Sequence, residues 1–149
     1  MKIKLLSLLV IFMIILGGCS NNSSELEGQN FKVFSWSPDI SPEDVATDNF
    51  NLYSALELEF KSSDNVEVKS GAELFKGKYT FENNILSMQL ESETNEEALV
   101  LSISDVTEHD QNENLYTGTI SELKIETGQY NSIGNNFFLG EYIGLHTGR

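Results

Sequence analysis

The chain has a single cysteine, Cys19. It can form no internal disulfide and no cysteine-based metal site, so an exported domain built from it is held by its core alone. Basic residues are also scarce, with 9 Lys and Arg against 23 Asp and Glu and a formal charge of −14. Phosphate binding needs Lys and Arg in patches, so no nucleic-acid partner is expected. Close contact with an anionic membrane surface is disfavoured for the same reason. No Gly-x-Ser-x-Gly elbow and no glycine-rich phosphate loop behind a strand occurs, which removes two common catalytic frameworks. No apolar run reaches the roughly 20 residues that span a bilayer. The expectation is a non-enzymatic protein with no cofactor and no metal.

The N-terminal residues have a definite pattern. Lys2 and Lys4 precede Leu5 to Leu16 (LLSLLVIFMIIL), a run of 12 residues interrupted only by Ser7, and Gly17 and Gly18 follow. A positive start, a short apolar stretch and small residues beside a cleavage point are the anatomy of an export signal. Leu16-Gly17-Gly18-Cys19 resembles the lipobox of bacterial lipoproteins, in which an aliphatic residue and two small residues precede the modified cysteine. The resemblance covers residues 1–19. It implies diacylglycerol on the Cys19 thiol and cleavage before Cys19. Acyl chains contribute about 0.8 kcal/mol per buried methylene, and stable anchoring takes two of them. The implied location is the extracytoplasmic face of a bacterial cell membrane. Asn, Ile, Lys and Ser outnumber Ala and Arg, which points to an AT-rich genome and favours a Gram-positive host.

The expected organisation is a signal peptide (1–18), a lipidated cysteine with a flexible tether (19–29) and one β domain (30–149). Ser20 to Gln29 (SNNSSELEGQ) is polar and reads as a disordered spacer. Without Lys2 and Lys4 the mature chain has 7 basic against 23 acidic side chains, a net −16. Such acidity suits a solvated domain, and would also suit a basic partner.

From Phe31 onward the apolar pattern has period two. A first strand holds Phe31 and Val33. Ser41-Pro42-Glu43-Asp44 supplies an N-cap, a first-turn proline and two acids at the positive helix end, predicting a helix over 42–49. Leu56, Leu58 and Phe60 alternate with Glu57, Glu59 and Lys61 in the clearest half-buried strand. Val66 and Val68 follow after a turn at 62–65, and then Phe75 to Phe81. Asn83-Asn84 is a two-residue hairpin signal, since asparagine tolerates positive φ. Leu86, Met88 and Leu90 lead through an acidic turn at 91–97 to the apolar strand Ala98–Val106. A polar loop is expected over 107–114. Alternation over Tyr116–Ile125 slips phase between Ile120 and Leu123, predicting a bulge. Residues 128–136 read as loop, and Phe137 to Leu145 as a closing strand with Phe137, Leu139, Ile143 and Leu145 on one face. The expected fold is all-β with minor α: a small antiparallel barrel or sandwich of about eight strands with one short helix. Closure would hide exposed strand edges.

The stretch from Leu56 to Leu90, with Phe75-Lys76-Gly77-Lys78-Tyr79-Thr80 and a hairpin into Ile85-Leu86-Ser87-Met88, resembles the central motif of META-type domains. It is also similar to small lipocalin-like bacterial lipoproteins. Gly71-Ala72-Glu73 stands where META domains have Gly-Cys-Asn, and Gly28-Gln29-Asn30-Phe31 lacks the lipocalin Gly-x-Trp. The resemblance implies a small β-barrel, and neither family implies an enzyme.

Few residues offer chemistry. His109 sits between Glu108 and Asp110, but neighbours on a strand point to opposite faces. His146 lies near the C-terminus. Asp110, Asn112 and Asn114 have calcium-loop spacing, yet Leu115 occupies the position that wants glycine and Ser121 the position that wants glutamate. Glu57 and Glu59 share one strand face, as a glycosidase pair would, but that face is the solvated one. Phe34 and Phe138 fall opposite the main apolar sets of their strands. With Trp36 and Tyr53 they are the candidate ligand or surface contacts, or else a second core layer. Two function classes follow. One is a lipid-anchored module binding a small apolar ligand or a basic protein, by analogy with small β-barrel lipoproteins that inhibit lysozyme-like enzymes. The other is an extracytoplasmic carboxylate hydrolase. A structural envelope role is a third reading.

Overall fold

A computed structural model describes residues 25–37, 39, 45, 54–94, 97–126 and 132–147. The strands are β1 (Asn30–Ser35), β2 (Leu56–Phe60), β3 (Asn65–Ser70), β4 (Glu73–Glu82), β5 (Ile85–Ser92), β6 (Ala98–His109), β7 (Asn112–Ile125) and β8 (Tyr142–Thr147). One short helix, α1 (Ser132–Asn136), precedes β8. Each strand pairs antiparallel with the next, and β1 pairs with β8, closing an eight-stranded barrel. Closure leaves no free edge.

Period-two alternation decides which side chains fill the interior. Phe31 and Val33, Leu58 and Phe60, Phe75 and Tyr79, Leu86 and Met88, Leu101 and Ile103, and Ile143 and Leu145 all belong to one buried cluster. Glu57 is exposed and Glu59 half-exposed on the outer face of β2. Asn83 and Asn84, at φ 52° and 62°, make the tight β4–β5 turn, the left-handed pair that a type I′ hairpin requires. The expected bulge is present in β7. Glu122 pairs with Ser102 and Ile120 with Ile103, which leaves Ser121 as the extra residue. At Gly77 the β4 backbone passes so close to β5 that a Cβ would meet the Gln89 carbonyl oxygen and lie 2.8 Å from its carbon. Only glycine permits this bend at the barrel corner.

Several expectations are corrected. The polar loop over 107–114 shrinks to Asp110 and Gln111, because β6 runs on to His109 and β7 begins at Asn112. Residues 128–136 end in α1. The closing strand begins only at Tyr142, and Leu139 is exposed rather than inward. The tether is held from Glu25 on: Gly28 N–H donates to the Phe60 carbonyl at 2.7 Å, and Leu26 packs on the core. The helix expected over 42–49 lies outside the described residues except for Val45, as do Cys19 and the rest of residues 1–24.

Val45 belongs to a second, smaller core on the outside of the barrel, with Phe34 of β1, Leu115 of β7 and a flank from Trp36. Phe34 is therefore core and not a surface contact. Its ring lies over Gly144 of β8, where a Cβ would come 2.5 Å from Phe34 Cε2.

Candidate functional site

The two ends of the barrel differ. At one end α1 acts as a stopper. The Ser132 hydroxyl donates to Glu73 Oε2, with the Ser70 carbonyl 3.2 Å away, and Ser132 N–H donates to the same carboxylate oxygen at 3.0 Å. That carboxylate satisfies the first amide of the helix, as a cap does. Ile133 and Phe137 enter the main core below. The following turn is equally fixed. Glu141 is buried and accepts from Phe138 N–H at 3.0 Å and from the Ser35 hydroxyl, while Gly140, at φ +84°, donates its N–H to the Ile120 carbonyl.

The opposite end is open. A recess of about 360 Å³ lies there, walled by Phe31, Phe60, Phe81, Leu86, Val106, Tyr116 and Leu145. These residues come from β1, β2, β4, β5, β6, β7 and β8, so the wall is made by the closed barrel and by no single motif. Edge-on aromatic contacts form much of the wall and floor: Phe31 to Phe60 at 5.8 Å, Phe31 to Tyr116 at 5.7 Å, and Phe60 to Tyr79 at 4.6 Å between centroids. The Tyr79 hydroxyl is satisfied by the Ser62 carbonyl at 3.0 Å.

A second bulge shapes the rim. Asp105 takes φ 55°, and the β6–β7 register shifts between Ser104 and Thr107. The extra residue turns β6 towards the β4–β5 hairpin, and Val106 N–H donates to the Asn84 carbonyl at 2.9 Å. Beyond the bulge Glu108 pairs with Tyr116. Directly paired residues share a face, so Glu108 stands on the inner side of the rim. Burial first, and then the Glu108 carboxylate, push the Tyr116 hydroxyl's pKa above its ordinary value. Glu25, Gln29, Asn84 and Thr107 complete the rim, and Leu26 leans over the opening.

Other surfaces are less suited to hold a ligand. A trough of about 770 Å³ crosses the outside of β3 to β6 between Lys61, Glu67, Lys76, Lys78, Gln89 and Glu91. Its charges answer one another, with Lys76 reaching Glu93 at 2.5 Å and Glu67 at 3.5 Å. Among the described residues no group of three or more His, Cys, Asp or Glu is placed to hold a metal ion, and no helix is long and apolar enough to cross a membrane. Asp110 lies in the tight β6–β7 turn, and at the start of β7 Asn112 Oδ1 accepts from Asn114 N–H at 3.0 Å. His109 ends β6 with its ring 5.7 Å from that of Trp36. His146 is half-buried on β8, and burial, then Lys32, lower its pKa.

Of the four candidate contacts named from sequence, the three within the described residues do not line the recess. Phe34 is in the outer core with Trp36 beside it, and Tyr53 lies outside the described residues. Phe138 is 66% exposed at the sealed end, next to Leu139, also 66% exposed. The recess residues were read as ordinary inward positions. The available signal was three aromatics, Phe31, Phe60 and Phe81, at the strand ends that an up-and-down order brings to one rim.

No protein-family model, no curated protein and no solved structure matches this chain.

Proposed function

We propose that this protein is an extracytoplasmic lipoprotein, anchored through Cys19, that binds a small apolar ligand in the mouth of its barrel. The observation that carries the reading is the asymmetry of the barrel: one end is stoppered by Ile133 and Phe137, and the other holds a recess of about 360 Å³ walled by aromatic and aliphatic side chains. Ligand sites run about 300–1,000 Å³ and favour barrel mouths. The recess opens at the end where the tether joins β1. The six residue steps from Cys19 to Glu25 reach at most about 20 Å, so a lipid on Cys19 would keep the mouth close to the bilayer.

The test uses the mature chain, residues 19–149, with Cys19→Ser, and the neutral fluorophore N-phenyl-1-naphthylamine. Saturable fluorescence enhancement is expected. Val106→Trp, which fills the recess from a partly exposed position, should weaken it by about tenfold or more while the thermal unfolding curve stays cooperative. A wild-type chain that leaves the fluorophore dark would end this reading.

A second reading, docking of a basic protein, is favoured by Phe138 and Leu139 standing exposed on a turn held rigid by Glu141, on a chain of net −16. The expected result is a salt-sensitive complex with lysozyme, used as the basic probe. Phe138→Ser with Leu139→Ser should abolish it while shifting stability by no more than about 0.5 kcal/mol. Unchanged lysozyme binding in that variant would dismiss the surface.

A further inference from the structure

We infer that the recess selects a cationic amphiphile: an alkyl or aryl body in the barrel mouth and an amine or quaternary ammonium head at the rim. The inference rests on the apolar-ligand reading above and specifies its chemical class. Its ground is the distribution of charge around the opening. Two carboxylates, Glu25 and Glu108, line the recess, and among the described residues no Lys, Arg or His does. The remaining rim groups, Gln29, Asn84 and Thr107, are neutral.

The geometry places one of these carboxylates where a head group would sit. Glu108 faces Tyr116 of the wall across β6 and β7. A ligand whose tail reaches Phe60 must pass its head between this pair and the turn at Glu25 to Gln29. A cation there would meet the Glu108 carboxylate and the half-buried Tyr116 ring together, and both attract positive charge. An anionic head in the same place would stand beside two carboxylates, with no cation among the described lining residues to offset them. Two lysines elsewhere at this end of the barrel, Lys61 and Lys78, are engaged outside it. Lys61 pairs with Glu59 and with Glu67, and Lys78 pairs with Asp64 at 2.6 Å. The net charge of the chain adds a long-range field of the same sign, which raises the local concentration of cations.

The size of the recess, about 360 Å³, limits how much of the body it takes, so the ligand is short or leaves part of its chain outside. Leu26 overhangs the opening on a turn held by Gly28 and Gln29, and an incoming tail must displace it or pack against it.

The experiment compares dodecyltrimethylammonium with dodecanoate, equal tails with opposite heads, each below its micellar concentration. Both are titrated calorimetrically into the mature Cys19→Ser chain at low and at physiological ionic strength, with N-phenyl-1-naphthylamine run in parallel. The ammonium compound is expected to bind at least about tenfold tighter. Glu25→Gln with Glu108→Gln should bring the two affinities together, whereas Glu91→Gln on the outer face of β5 should leave the preference in place. If the neutral fluorophore binds but dodecanoate binds as well as the ammonium compound, the recess stands as a site and the cationic class is overturned. If Glu91→Gln erodes the preference as much as the rim pair does, the selectivity belongs to the whole chain's charge, and the assignment to the rim is overturned. If no compound binds, the fluorophore included, the ligand reading itself fails.

Discussion

Phe60→Ala is expected to cost the barrel about 3–5 kcal/mol. Phe60 ends β2, its side chain is fully buried, and its ring packs edge-on against Phe31 and Tyr79. Its backbone also ties down the chain that enters the barrel: Phe60 N–H donates to the Gln29 carbonyl and the Phe60 carbonyl accepts from Gly28 N–H. Those bonds and the β1–β2–β3 ladder hold the strand where it is, so the space vacated by the ring cannot collapse. Domains of this kind are stable by only about 5–15 kcal/mol, and the loss would move the urea midpoint far down with the slope unchanged. Phe60→Leu should lie between the two. The same truncation deepens the recess, so whatever folded protein remains should accept bulkier apolar probes. A loss under about 1 kcal/mol would mean that the ring is not packed as described, and the floor of the recess would have to be redrawn.

Cys19→Ser in the full-length chain should block acylation and, since cleavage follows acylation in this reading, leave the first 18 residues attached as an unlabelled precursor. Diacylglycerol on Cys19 would supply two acyl chains at about 0.8 kcal/mol per buried methylene. Without it nothing in the mature chain replaces that energy, since a net charge of −16 is repelled by anionic headgroups. Cell fractionation with metabolic labelling by an alkyne fatty acid reads this directly. The wild-type chain should carry the label and the serine variant should not. A wild-type chain that takes no label and keeps its first 18 residues by mass spectrometry would show that the apolar segment is an uncleaved anchor and that the lipobox reading is mistaken.

Much of the barrel was legible residue by residue, because a half-buried strand writes its geometry as alternation. Leu56–Phe60, Val66–Val68 and Leu86–Leu90 each show it. The bulge at Ser121 was legible for the same reason, since an extra residue must shift the phase. The Asn83-Asn84 hairpin follows from the tolerance of asparagine for positive φ. Elsewhere the alternation carries no signal. Residues Thr107 to His109 and Asn112 to Asn114 pair as strand although they are polar, because here β6 and β7 rise beyond the core and neither face is fully covered. α1 was illegible because Ser-Ile-Gly-Asn-Asn is a poor helix former. It exists because Glu73, distant in sequence, satisfies its first turn and because Ile133 and Phe137 are buried beneath it. Phe34 was half legible: its outward register was plain, and which of two readings applied was not. The difference was made by Val45 and Leu115, which cover it from a connection and from a strand remote in sequence.

By itself the sequence determined which residues point inward, where most strands turn, how acidic the surface is and which chemistries lack their residues. All of these are properties of one residue or of neighbours a few positions apart. Only the tertiary structure decided that the sheet closes into a barrel, that one end is stoppered and the other hollow, and that Glu108 and Tyr116 meet at the rim. Those facts depend on pairings between distant strands, on the bulge at Asp105 that turns Val106 towards the mouth, and on the close passage of β4 and β5 at Gly77. No local pattern encodes which end of a set of alternating strands will be left open. That is set by where the leftover side chains of seven strands, and the stopper that follows the seventh, come to lie when the first strand meets the last.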